Sequence, residues 1–263
     1  MYELLLRRVK HKNILLFIIT FLTVIFSSIL ARNSNIHAGI LVITISLIPL
    51  VQIMSKIIEI EEIKEEKLSK DNIILRHKEF IENYFAIFFS AVFAFYISYI
   101  LFPDMFLIQK SAIEEIRKDI ITLARGSYLD KEAYFAYILI NNMKVLLTSF
   151  LFSFIFGAGA IYLILWNASI VGVYLGIKAE EYFGNIIIKY TVYPLYKFII
   201  LLPHGLPEFL AYFLAALSGG IISTAIIKNL DSKKFERILI DSIILFVLSI
   251  VILVIAAVIE AYF

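Results

Sequence analysis

The residues in this chain whose types suit chemistry are few, and they lie inside apolar runs. The stretch LPHGLPEFL (202–210) places His204 four residues before Glu208. In a helix both side chains would share one face, with Glu208 about 6 Å further along. Asn142 stands near the start of an earlier apolar run, and Glu260 stands near the end of the last one. Ionisable groups inside spans cost about 2.5–3.5 kcal/mol on insertion scales, so these residues indicate a role.

Two interpretations of this intramembrane polar cluster (Asn142, His204, Glu208 and Glu260) stay open. In the first, the four side chains hydrogen-bond one another and fix how the spans pack, for roughly 0.6 kcal/mol per pair. In the second, they line a site or path for a substrate, an ion or a proton. A catalytic zinc needs three protein ligands, and the other histidines stand in distant segments. We therefore expect no metal.

Composition assigns the chain to the membrane proteins. It is 61% hydrophobic and 17% charged, with a mean hydropathy of +0.91, against about 45–50% apolar and about 25% charged for soluble domains. There is no cysteine, which excludes disulfides and thiol chemistry. No Gly-rich phosphate loop and no long soluble segment appears. We expect no enzyme activity, no cofactor and no nucleic-acid partner.

Apolar runs of about 20 residues predict an all-α, polytopic bundle of about seven crossings, six full spans and one short or irregular. The first run follows a basic stretch but exceeds the apolar core of a signal peptide, so we expect an uncleaved span. The full spans are predicted at 14–31, 37–54, 84–102, 140–165, 204–227 and 238–260. The remaining crossing lies between 166 and 204 and begins near Asn167.

Basic residues predict the orientation. Four Lys or Arg lie in the N-terminal stretch, six lie in 55–80 and four lie in 228–237. Basic loops face the cytoplasm, which places the N-terminus inside and the C-terminus outside. The three spans that carry the polar cluster then bring it to one level in the outer half of the bilayer.

Two segments outside the spans are predicted to be helical. Residues 55–80 suit a charged cytoplasmic hairpin that extends the second and third spans. Residues 111–126 suit an outer amphipathic helix that begins at a capping box of Ser111 and Glu114, carries isoleucines on one face and closes at Gly126. Such a helix is expected on the outer surface or over the span tips.

Proline and glycine positions predict local structure. Pro203 and Gly205 suit the end of one segment and a tight turn, and Pro207 suits the first turn of a span that starts at 204. Asn167 is expected to cap the helix of the irregular crossing. Close helix packing is expected at four further glycines, because small residues let helices approach: Gly172, Gly176, Gly219 and Gly220.

The order of motifs in the C-terminal half resembles the stage II sporulation protein M family. These motifs are the Asn-led span at 141, the segment WNASIVGVYLG, the LPHGLPE motif and the ending AAVIEAYF. The resemblance covers about 139–263, which defines a membrane core after an N-terminal membrane part, 1–138. It implies functional positions at Asn142, Asn167, His204, Gly205, Glu208 and Glu260. It also implies a non-enzymatic scaffold that localises partner proteins at the membrane.

We therefore expect a multi-pass protein of the cell membrane that contacts lipid and recruits protein partners, for which further copies of itself are one candidate. The alternative is a transporter or channel component with a polar site at His204, Glu208 and Glu260. An intramembrane protease is rejected. EEYFGN (180–185) is similar to a CAAX-protease pattern, but Asn185 stands where that pattern has arginine.

Overall fold

The computed structural model describes residues 12–34, 37–66, 77–125 and 131–262. Within these ranges the chain forms eight α-helices and no strand. A 3-10 helix, Pro103–Phe106, precedes the fourth α-helix, and a π-helix, Ile188–Val192, precedes the seventh. The α-helices are α1 (Lys12–Ala31), α2 (Ala38–Glu66), α3 (Lys78–Leu101), α4 (Leu107–Arg125), α5 (Lys131–Phe156), α6 (Ala160–Glu181), α7 (Tyr193–Ile227) and α8 (Ser232–Tyr262).

Seven helical elements among the described residues are long and apolar enough to cross a membrane. They comprise every α-helix except α4, and the π-helix joins α7 in one element of 40 residues, Ile188–Ile227. The prediction of an all-α polytopic protein with about seven crossings is confirmed. The sides on which the termini lie stay a prediction from the basic loops.

The predicted fourth span, 140–165, is wrong in its bounds because the helix breaks inside it. α5 ends at Phe156, and α6 begins at Ala160. Gly157 follows the last helical residue with φ +64°, the left-handed conformation with which helices commonly close on glycine. The crossing that was predicted to be short or irregular is therefore α6, a continuous helix of 22 residues, and Asn167 lies in its interior rather than capping it.

The predicted helix start at LPHGLPEFL is also wrong. α7 runs through Pro203, Gly205 and Pro207 without interruption. The start lies upstream, where the side-chain oxygen of Asn185 accepts hydrogen bonds from the backbone N–H groups of Ile187 at 2.8 Å and Ile188 at 3.4 Å. Asn185 thus satisfies donors that a helix N-terminus leaves unpaired.

The two predicted extramembrane helices are described in part. α2 extends to Glu66 and α3 begins at Lys78, while the middle of the 55–80 hairpin lies outside the described residues. The outer helix begins at Leu107, so Ser111 is an interior residue rather than its cap. The 3-10 helix before it supplies the start, and the expected closing residue, Gly126, also lies outside the described residues.

The chain divides into two compact units, and five helices contribute to both. The first unit comprises residues through Ile48 with Phe85–Tyr134 and Ile164–Pro203. Buried serines join its helices: Ser28 Oγ lies 2.8 Å from Ser98 Oγ, and Ser46 Oγ lies 3.0 Å from Ser27 Oγ. These bonds link α1 to α3 and to α2.

The second unit comprises Pro49–Tyr84, Phe135–Leu163 and His204–Phe263. Its helices approach closely at Gly219 of α7, where an added Cβ would collide with the backbone carbonyl oxygen of Phe150 on α5. The hydroxyl of Ser218 donates to the backbone carbonyl of Ser242 on α8 at 2.7 Å. α7 is therefore fixed against both α5 and α8, the helices that carry the rest of the predicted polar cluster.

Candidate functional site

Three residues of the predicted polar cluster meet in the second unit. Asn142 on α5 donates a side-chain hydrogen bond to the Glu208 carboxylate on α7. Glu260 on α8 lies within hydrogen-bonding reach of the same carboxylate. All three side chains are half-buried. The contacts connect α5, α7 and α8 at one place.

Two carboxylates in contact set the electrostatics of this group. Like charges at this range repel strongly, so one positive charge, from a proton or a cation, stabilises the pair. Tyr212, one helical turn after Glu208, is 5% exposed and lies within electrostatic range of both carboxylates. The group provides carboxylate and amide oxygens, which suit hydrogen bonding or a hard cation better than nucleophilic chemistry.

His204 shares the helix face of Glu208, one turn earlier, and is half-buried. In the described part of the chain the contacts that join the other three residues do not include it. The same ranges contain no group of three His, Cys, Asp or Glu side chains placed to hold a metal ion.

The glycines chosen from the sequence lie at different kinds of contact. Gly172 of α6 abuts α3, where an added Cβ would stand 2.7 Å from the carbonyl oxygen of Val92, and Gly176 abuts the Tyr99 ring. Gly220 faces the Ile58 side chain of α2, which an added Cβ would approach to 3.0 Å. Gly205 is buried but has room for a side chain, because the nearest atom to an added Cβ, apart from the helix backbone, would be in the Phe209 ring at 3.5 Å.

A second group of residues, in the first unit, was missed by the sequence analysis. The 3-10 helix before α4 buries Met105 and Phe106, and the Phe106 ring lies 6.2 Å from those of Phe95 and Tyr99. Gln109 is fully buried, and its amide lies 3.4 Å from the Ser169 hydroxyl on α6. The signal was a glutamine at the end of the apolar run MFLIQ (105–109), between the predicted third span and the predicted outer helix.

Tyr99 ties the start of α4 to two spans. It donates a hydrogen bond to Glu180 of α6 at 2.9 Å, and the Lys110 ammonium lies 5.0 Å from the centre of its ring, a distance typical of a cation–π contact. The first turn of α4 is thus anchored to α3 and α6.

The rest of α4 leaves this anchor. From Glu114 to Asp119 every side chain is exposed. Glu114, Lys118 and Ile121 are spaced i, i+4 and i+7, so they form one exposed stripe, here called the docking stripe. Ile121 is 40% exposed among these charges.

Comparison with known proteins gives one match. A family model described as Stage II sporulation protein M matches residues 84–263. The match begins at Tyr84 rather than at residue 139, and so includes α4 and its anchor. No curated protein and no solved structure matches the chain.

Proposed function

The chain belongs to the stage II sporulation protein M family, and on that premise we propose that it is a non-enzymatic scaffold of the cell membrane. In this proposal it recruits or localises partner proteins through α4. The resemblance to family members that localise other proteins supports this, and so does the presence of α4 within the matched range.

The observation that carries the proposal is the contrast between the two ends of α4. Its start is fixed by buried Phe106 and Gln109, whereas the docking stripe beyond it is exposed. A helix held rigidly at one end loses little conformational freedom when a partner binds the other end, which favours recognition. An exposed isoleucine next to charged residues has the pattern of an anchor with a polar rim.

Site-directed photo-cross-linking in native membranes tests the scaffold. A photoreactive residue at 114, 118 or 121 of the full-length chain is expected to give a discrete protein adduct. The control position is Ile116, on another face of the same helix. Ile121→Ser should then remove the adduct at 118 and change the location of the cross-linked protein in cells. Absence of an adduct at all three positions would contradict the proposal.

Transport is the second candidate function, and the contact of Glu208 with Glu260 favours it. A carboxylate pair in the membrane that needs one positive charge is the kind of group that proton and cation paths contain. Because the chain has no cysteine, single cysteines at 142, 208 and 260 provide a direct test. Labelling that reaches 208 with a membrane-impermeant thiol reagent would support an aqueous path, and protection of 208 would support a closed packing cluster.

A further inference from the structure

α4 begins where a membrane span ends. Leu101 is the last residue of α3, a candidate span, and Leu107 is the first residue of α4. The five residues between them include the 3-10 helix, whose Met105 and Phe106 are buried. The chain therefore has no length in which to leave the membrane surface before α4 starts.

One face of α4 is directed toward the spans at its start. Gln109, Ile113, Ile116 and Ile120 are spaced i, i+4, i+7 and i+11, which places them on the same face. Gln109 at the start of that face is fully buried and reaches Ser169 in the spanning helix α6. The isoleucines further along point in the same direction.

Protein covers these isoleucines only in part. Ile113 and Ile120 are half-buried, and Ile116 is 39% exposed. A face that is directed toward the spans at its buried start, and that protein covers only in part beyond that start, lies toward the surrounding bilayer. We propose that α4 lies in the membrane surface, with Ile113, Ile116 and Ile120 seated among the lipid headgroups and upper acyl chains.

The charge of α4 defines which lipid surface it fits. Between Leu107 and Ile121 the sequence has three basic residues and three acidic ones. With no net charge, the helix gains little from anionic headgroups, and the apolar face supplies the binding. The isoleucine face is therefore expected to lie at the boundary between headgroups and acyl chains in neutral and in anionic membranes alike.

This inference concerns a different face from the docking stripe and stands whether or not a partner protein binds there. It gives α4 two roles on two faces. The isoleucine face holds the helix flat on the membrane, and the docking stripe then points away from the lipid.

The test uses the full-length protein in vesicles at a low protein-to-lipid ratio. Single cysteines at 113, 116 and 120 carry a small fluorophore, and matched cysteines at 111, 115 and 118 report the other faces of the same helix. Quenching is measured with a nitroxide attached to lipid at the headgroup level and with iodide in the water. Retained helical content and a single oligomeric species verify that each labelled variant is folded.

The expected result is strong lipid quenching and weak iodide quenching at 113, 116 and 120, with the reverse at 111, 115 and 118. Vesicles of phosphatidylcholine alone and vesicles with added phosphatidylglycerol should give the same pattern. Iodide quenching at 116 as strong as at 115 would overturn the proposal, because the face would then be in water. Protection of 116 from both quenchers would also overturn it, because a protein would then cover the face.

Discussion

The carboxylate of Glu208 on α7 contacts that of Glu260 on α8, while the Asn142 amide donates a hydrogen bond to Glu208. The two acids are therefore not equivalent, because it is Glu208 that accepts the hydrogen bond from the Asn142 amide. Their substitutions should have different effects on stability.

We expect Glu260→Gln to leave the thermal unfolding midpoint unchanged or to raise it, because it removes a repulsive charge and keeps the size of the side chain. Glu208→Ala should lower the midpoint, since it leaves the Asn142 amide without its acceptor, at a cost of about 1–3 kcal/mol. Both variants are compared in the same detergent at neutral pH. A lower midpoint in Glu260→Gln would contradict a repulsive contact between the two carboxylates.

Gly219 and Gly205 of α7 form a matched pair of glycines in one helix. An added Cβ at Gly219 meets the backbone oxygen of Phe150, which cannot move aside, so Gly219→Ala should cost roughly 1–3 kcal/mol of stability. At Gly205 an added Cβ would meet its nearest neighbour at 3.5 Å, an ordinary contact, so Gly205→Ala should stabilise by up to about 1 kcal/mol through helix propensity. Denaturant titration compares the two, and a similar loss at both positions would contradict the close approach of α5 and α7.

Gly157 tests whether backbone conformation alone ends α5. Its φ is +64°, and no atom lies within 4 Å of an added Cβ, so a substitution meets strain without steric conflict. Gly157→Ala should destabilise by about 1–2 kcal/mol, and Gly157→Asn should cost less, because asparagine tolerates this conformation. The unfolding midpoints of the two variants show whether Gly157→Asn is the more stable. If the helix instead continued through residue 157, Gly157→Asn would have no advantage over Gly157→Ala.

Asn185 tests where the long helical element begins. Asn185→Ala removes the acceptor for the N–H groups of Ile187 and Ile188 and should cost about 1 kcal/mol. Asn185→Asp keeps an acceptor at the helix N-terminus and should restore most of the loss. Hydrogen exchange at residues 187–192 provides a local readout, and unchanged protection in Asn185→Ala would argue against the cap.

The number of spans could be predicted from the sequence because it depends on composition and length alone. The contacts of Glu208 with Asn142 and with Glu260 also agree with the order of the helices that carry them. The boundaries could not be predicted as well. LPHGLPEFL suits a helix start, yet membrane helices tolerate interior prolines because surrounding groups satisfy the freed carbonyls.

Other errors came from small signals that have two meanings. Gly157 and Gly159 suit packing inside a span as well as the end of one, and only the positive φ at Gly157 distinguishes them. Asn167 suits a cap as well as a helix interior. The anchor of α4 depends on contacts of Phe106 and Gln109 with residues far along the chain, which no local pattern contains.

The length of Ile188–Ile227 has a consequence for the membranes that suit this protein. Its 40 residues extend about 60 Å, twice the hydrocarbon thickness of about 30 Å. α6, with 22 residues, extends only about 33 Å. In a thicker bilayer the long element could still span the hydrocarbon region, whereas α6 would be the first to become too short for it. Hydrophobic mismatch would therefore act through α6, the helix that holds Gln109 and Tyr99 in place.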